Sequence, residues 1–497
     1  MRRLSRRWPF CFLAAALLCT VSANALAQSP AADTQQLTAA DYHADIDELE
    51  RRLLDQSPYL ERHDFDHRRA FAALRESISE QTDLRRFSIE IHKLIMQIGD
   101  CHADVRFPAS TAETQFLPFR SADTAGGLAA LGISQNEPLD SECPYLDSID
   151  GVSLDRWLAA AAKFVARASP QLTRRRSLDW MGKVELMRGE LNLPSGEIVE
   201  VGLKSADGAR HATKRLRITG QRYSVARLKL RPTRLLAGDI GYLRIPTMDD
   251  RLVEPVVRQV KSFQDTKGLI IDVRDNGGGT YGVMRGIYGF FVQGDAKPRV
   301  TNIAAYRLSP SFANNHIEYR PTFRADWSGW DEEEREAIRQ AAVSFKPEWL
   351  LPEGKFSEWH YMLLSRTRSG RGGASQRVVA GTSDDYFYYD KPVVGLANAG
   401  SFSAADGFVN AFAELPKVTV VGEPSAGGSG ATRSFQLSKT RIGVALASMA
   451  SFRPNGKLFD GNGIEVDILL KPTLEDFTSD NDSVLARAME VIADKSR

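Results

Sequence analysis

The stretch "GLIIDVRDNGGGTYG", residues 268–282, opens on an apolar run suited to a strand buried on both faces and continues through Arg274, Asp275 and Asn276 into three consecutive glycines. Glycines at that point let the backbone come close to a substrate and turn its amides toward one spot. Gly277, Gly279 and Gly282 also spell G-x-G-x-x-G, the pattern of a dinucleotide site. That site wants its first glycine directly after the strand and an acid about 20 residues further on. Here three residues intervene and the next acid is Asp295, which argues against a nucleotide cradle.

The same strand signature recurs on both sides. "GDIGYLRI" (238–245) leads into the helical pattern "VEPVVRQVKSFQ" (253–264), and apolar runs follow at 393–397, 418–421, 442–449 and 464–470. Strand, helix and strand in alternation predict an α/β core around a parallel sheet. After the run at 393–397 comes "NAGSFSAADG" (398–407), in which Phe402, Ala405, Phe408, Val409 and Phe412 keep helical spacing. Ser403 therefore falls in a first helical turn, where unpaired amides favour negative charge and could hold an oxyanion. The plainer reading makes Ser401 an N-cap and Ser403 a small first-turn residue.

Upstream, apolar residues at helical spacing between Thr38 and Gln97 predict three helices. Residues 117–220 read as strand-rich, with Asp-Gly turns in "YLDSIDGVSLDRWLAAAAKFVA" and "EIVEVGLKSADGARHATKRLRI". A long insertion rich in Trp and Tyr occupies about 297–390; within it "SRTRSGRGGASQR" (365–377) reads as a mobile loop and "DEEER" (331–335) as a solvated first helical turn. At 497 residues the chain exceeds one core, so two or three domains are expected.

The opening "MRRLSRRWPFCFLAAALLCTVSANALAQ" orders arginines, an apolar core and small residues as a secretory leader does, with cleavage expected after Ala27. Its loss removes four arginines and no acid, taking the formal charge from +1 to −3. A near-neutral exported chain has no field for nucleic acid or anionic lipid, and the apolar stretch is too short for a stable membrane span. Cys11 and Cys19 leave with the leader; Cys101 and Cys143 remain, either as one disulfide or as two buried thiols. Clustered Cys/His spacings and HExxH are absent, so no metal and no cofactor are expected.

Taken together, "GDIGYLRI", "LIIDVRDNGGG", "PVVGLANAGSFSAADGF", "VTVVGEPSAGG" and "FDGNGIEVDI", in that order across 236–470, resemble the S41 peptidase family of C-terminal processing proteases and their tricorn-like relatives. The resemblance implies a ClpP/crotonase-like core over 223–497, an N-terminal helical domain over 28–116 and a PDZ-like domain over 117–222. It puts the nucleophile on Ser403, which precedes Ala-x-Asp, rather than on Ser401. In the processing branch a lysine base stands where this chain has Gly428, so the resemblance moves to the tricorn-like Ser/His branch, whose histidine lies in a DxH setting. "QIGDCHADVRF" supplies that setting and makes His102 the base. Asp460 occupies the place of the third member, a glutamate in that branch, and Val466 replaces the usual proline; Glu465 and Glu423 are the other candidates for orienting His102. The Ala404 and Gly278 amides would hold the oxyanion, while Cys101 has no support as a nucleophile. The function implied is an exported serine endopeptidase acting on a protein or peptide substrate. The competing expectation is a non-catalytic binding protein on the same fold.

Overall fold

A computed structural model describes residues 37–62, 65–133, 137–310, 321–366 and 387–496; the expected leader and residues 367–377 of the expected mobile loop lie outside them. The chain begins with α1 (Ala39–Gln56), α2 (His67–Glu76) and α3 (Leu84–Gln97), in the span where periodicity predicts three helices. Thr38, Asp66 and Asp83 start them, each side chain accepting an amide of its helix's first turn. A three-residue strand, β1 (Asp104–Arg106), follows. Next come β2 (Arg120–Thr124), β3 (Gly127–Leu131), β4 (Tyr145–Ile149) and β5 (Val152–Ser153), then the helices α4 (Leu154–Ala162), α5 (Pro170–Met181) and α6 (Val184–Leu191). The hairpin β6 (Ile198–Lys204) and β7 (His211–Arg217) completes this region as an antiparallel sheet of order β2-β3-β4-β6-β7, with β5 paired to β4.

The remainder alternates as the apolar runs require. It contains β8 (Arg234–Leu236), β9 (Ile240–Arg244), α7 (Val253–Ser262), β10 (Gly268–Asp272) and α8 (Gly282–Tyr288). The insertion supplies β11 (Arg299–Tyr306), β12 (Phe323–Arg324), α9 (Glu332–Ser344) and β13 (His360–Leu364). Then follow β14 (Val393–Ala397), α10 (Ala404–Ala413), β15 (Val418–Gly422), β16 (Thr432–Gln436), β17 (Gly443–Ala447), β18 (Met449–Phe452), β19 (Ile468–Leu469), α11 (Glu475–Thr478) and α12 (Ser483–Lys495). The central sheet runs β19-β15-β14-β10-β9-β8, parallel except for β8. Successive side chains of a strand point to opposite faces. Leu269 and Ile271 accordingly pack with α7, α8 and α10, while Ile270 between them packs with Val484, Leu485 and Ala488 of α12.

Two further antiparallel sheets flank this core, β1-β17-β16 and β12-β13-β11-β18. Because β11 lies between β13 and β18, with Ile303 opposite Phe452, the insertion is woven into the core rather than appended to it. The apolar run at 442–449 is two strands, parted at Ser448, whose amide bonds the Ala431 carbonyl. Of the run at 464–470 only Ile468 and Leu469 form a strand, since the Ile464 amide is taken by the Ser425 hydroxyl. The acidic run begins α9 as expected, with Asp331 and Glu334 forming its capping box. Among the described residues no helix is long and apolar enough to cross a membrane.

The N-terminal helices are fastened to the core through buried acids of α1. Asp45, fully buried, accepts the Lys439 amide (2.9 Å), the Thr440 amide (2.8 Å) and the Thr440 hydroxyl (2.5 Å); Glu48 accepts the Ser438 amide and hydroxyl. Removing the Asp45 carboxylate leaves two amides of the β16–β17 turn without their acceptor. Asp45→Ala should therefore lose about 2–4 kcal/mol of unfolding free energy, read as a lower urea midpoint at unchanged slope.

Candidate active site

At the end of β14 the chain turns through residues 398–403 into α10. Ser401 is wholly buried and its hydroxyl donates to the Val273 carbonyl at 2.8 Å, so it pins the turn to the neighbouring strand. Ser403 differs: its φ of +60° and ψ of −117° put a residue with a Cβ in a conformation that needs external support. Asp406 supplies it. Its carboxylate accepts the Ser403 amide (2.8 Å), the Ser425 hydroxyl (2.5 Å) and the amides of Gly427 (2.8 Å) and Gly428 (3.2 Å). Four donors converge on this one buried acid, joining the serine's backbone to the loop beside it.

His102 arrives from the opposite end of the sequence. Asp100, fully buried, accepts the His102 amide at 2.8 Å on one oxygen and the Ala447 amide of β17 at 2.6 Å on the other. The chain then enters β1, which pairs with β17 through Asp104–Ala445, Val105–Val444 and Arg106–Gly443. This places His102 Nε2 3.2 Å from Ser403 Oγ, between residues 301 positions apart. The imidazole also packs on the Phe402 ring, centroids 4.6 Å apart at 31°.

Of the three carboxylates considered for orienting that imidazole, the fold brings Asp460 to it. Its oxygens accept the Cys101 amide (3.3 Å) and the Ser429 amide (3.1 Å). Asp100, a ring nitrogen of His102 and Asp460 lie within 4.8 Å of one another. That spacing would suit a metal ion, yet each of the four carboxylate oxygens already accepts a backbone amide. Glu465 is instead an exposed partner of Lys457, and Glu423 lines a cleft with Asp123, Arg174 and Lys471 that extends to Asp275 and Asn398. Sequence reasoning missed Asp100, although it is the acid of the DxH motif, and missed the structural weight of Asp406.

Burial dominates the electrostatics. It pushes Asp100 up to about 7, with Asp460 adding in the same direction. Asp460 is raised by burial against its amide donors, and burial lifts Asp406 to about 7 against its four hydrogen bonds. The Cys101 thiol is also pushed up by burial, which keeps it protonated and unreactive. The disulfide considered from the sequence is not formed. Cys101 and Cys143 are free, the first packed with Leu172 and Ala426, the second in the separate apolar cluster of the β2–β7 sheet.

The glycine loop is held at its root by the buried Arg274, which pairs with Asp272 and with Asp482, both at 2.7 Å. Gly278, at φ +93°, lies against Ser403: an added Cβ would stand 2.7 Å from Ser403 Cβ and 2.9 Å from the Ala404 nitrogen. Only glycine fits there. Its amide, however, donates to the Asn276 side chain at 2.9 Å. That corrects the expectation that the Gly278 N–H is turned toward an oxyanion: this glycine supplies clearance, and its donor closes its own turn. Gly277 and Gly279 beside it are exposed, and Ala404 opens α10 next to the hydroxyl.

Residues 239–470 match the model of Peptidase family S41. No curated protein matches the chain. Among solved structures, mature CPAF is similar with a TM-score of 0.64 at 16% identity, covering 92% of this chain and 98% of that one. Mature CPAF complexed with lactacystin gives 0.62 at 16%, covering 91% and 97%, and a CPAF mutant gives 0.64 at 15%, covering 92% and 98%. At such identities the likeness is one of fold.

Because the folded chain raises the Asp100 pKa, it holds that proton more tightly than the unfolded chain does. The resulting stability is complete below the unfolded value, about 4, and is lost as pH climbs through about 7. Wild type should thus lose stability relative to Asp100→Asn across that interval. Urea midpoints of the two proteins running parallel from pH 4 to pH 8 would contradict the assignment.

Proposed function

We propose that this chain, a serine-type peptidase of family S41 through its residues 239–470, is an exported endopeptidase that cleaves protein or peptide substrates through an acyl-enzyme on Ser403. The observation that carries the reading is the 3.2 Å approach of His102 Nε2 to Ser403 Oγ, hydrogen-bond reach for a nucleophile and its base. His102 takes the hydroxyl proton as Ser403 attacks the carbonyl, then returns it to the leaving amine. Asp460 and Asp100 stabilise the imidazolium formed between those steps. The Ala404 amide, with the amide of Gly277 or Gly279 rather than that of Gly278, receives the oxyanion; each such donor contributes about 3–4 kcal/mol in comparable sites.

The choice of histidine over lysine as base has its own support. A side chain at Gly428 would run into the Phe402 ring and the Cys101 Cβ. The place a lysine base would need is thus taken by the ring that packs on His102. The chain acts after export, in the periplasm or outside the cell, and N-terminal sequencing of the exported protein should begin at Gln28.

A fluorophosphonate probe should label the folded protein at Ser403. Labelling should vanish in Ser403→Ala and fall about 10²–10⁴-fold in His102→Ala. A folded, processed sample that takes no label at any pH would favour a non-catalytic binding protein instead.

A further inference from the structure

Three consecutive arginines on a helix leave its axis about 100° apart, and the ordinary expectation is that most of them face water. On α5 each finds a different partner. Arg174 pairs with Asp123 of β2, with 2.7 Å and 2.9 Å contacts, within the region that precedes the matched peptidase residues. Arg175 donates to Asp275 at 2.7 Å, at the mouth of the glycine loop. Arg176 donates from Nη1 to the Cys101 carbonyl at 2.9 Å, and its guanidinium lies 5.1 Å from the centre of the Phe402 ring.

The last two contacts sit one residue from the reacting groups: Cys101 precedes His102, and Phe402 precedes Ser403. The Phe402 ring packs on the imidazole at 4.6 Å as well as on the guanidinium. Arg176 therefore touches both the base loop and the nucleophile turn. Asp275 is as constrained as its neighbour: it has a φ of +56°, its amide donates to the Asn398 side chain at 2.9 Å, and its carboxylate accepts the Asn398 amide nitrogen at 3.2 Å. A Cβ on Gly400 would meet both Asp275 Oδ1 (2.6 Å) and Arg175 Cζ (3.1 Å). The start of the same helix reaches the remaining loops, through the Ser169 hydroxyl on the Ala426 carbonyl (2.5 Å) and the Gln171 amide on the carbonyls of Ser425 (2.8 Å) and Asn462 (3.2 Å).

We propose that α5, which lies outside residues 239–470, is the registration element of the active site. Arg176 is the positioning residue that sets His102 against Ser403, and Arg175 is the positioning residue for the glycine loop. The proposal rests on the hydrolytic reading of Ser403 and His102. Neither arginine reaches the reacting atoms. Their effect is on the placement of groups that do, where an error of about 1 Å can cost about 100-fold in rate.

The test compares Arg176→Met, Arg176→Lys and Arg174→Ala in the full chain. Methionine keeps the apolar stem but loses the donor and the charge, lysine restores a charge and one donor without the planar fork, and Arg174 controls for general loosening of α5. With a fluorophosphonate probe, Arg176→Met should lower the limiting inactivation rate about 10–100-fold while the half-saturating probe concentration stays within about twofold; Arg176→Lys should recover part of the loss, and Arg174→Ala should stay within about twofold of wild type throughout. Hydrogen exchange should rise in Arg176→Met at residues 99–104 and 398–404 and remain unchanged elsewhere. An inactivation rate within about twofold of wild type in Arg176→Met overturns the proposal. So does a loss accompanied by exchange rising across the whole chain. If wild type itself takes no label, the hydrolytic reading fails instead, and the exchange pattern alone decides whether α5 registers these loops.

Discussion

The antiparallel pairing of β1 with β17 fixes where the imidazole of a residue near the start of the chain can go. Three residues are too few to make that pairing strong, so the turn before it carries a second fastening, the Asp100 carboxylate divided between the His102 and Ala447 amides. One oxygen shapes the turn and the other fixes it to the sheet. Were either bond absent, the sheet could accept β1 while leaving the ring free to point elsewhere. The serine has a counterpart on its own side in Asp406, whose four donors come from its own turn and from the 425–428 loop.

These acids illustrate a general cost. Taking a carboxylate out of water is unfavourable, and a protein tolerates it where the oxygens meet donors that would otherwise be orphaned. Asp45, Asp100, Asp406 and Asp460 are all fully buried, and each accepts backbone amides from a segment distant in sequence. They act as joints between segments far apart in the chain, Asp100 reinforcing the pairing of β1 with β17. Hydrophobic packing closes the layers of the molecule, and these directional contacts decide how the loops at its surface are set.

Much of the architecture was legible because it follows from local pattern. The strands around 268–273 and 393–397 are apolar on both faces, and the helix beginning at Ala404 keeps its period. The glycine loop was legible in the residues themselves, and the DxH turn through the resemblance to S41 peptidases, so that the loops carrying residues 102 and 403 could both be named. What local pattern does not carry is the direction of a particular bond. Glycine tolerates many backbone angles, so the run at 277–279 could not reveal that the Gly278 amide closes on Asn276. Two cysteines in an exported chain permit a bridge, but whether one forms depends on where each packs, and these two are buried in different clusters. Asp100 stood in plain view within its motif, and its role needed Ala447, 347 residues away.

The Phe402 ring, filling the space above Gly428, bears on how such a site can change over evolutionary time. Installing an amine at position 428 would require the aromatic ring to be replaced first, and that loss would strip the imidazole of its packing before any substitute base existed. On the proposed reading of His102 as the base, a lineage carrying this phenylalanine would have to change both positions to exchange one proton acceptor for the other. The ring acts as an evolutionary ratchet as well as a wall.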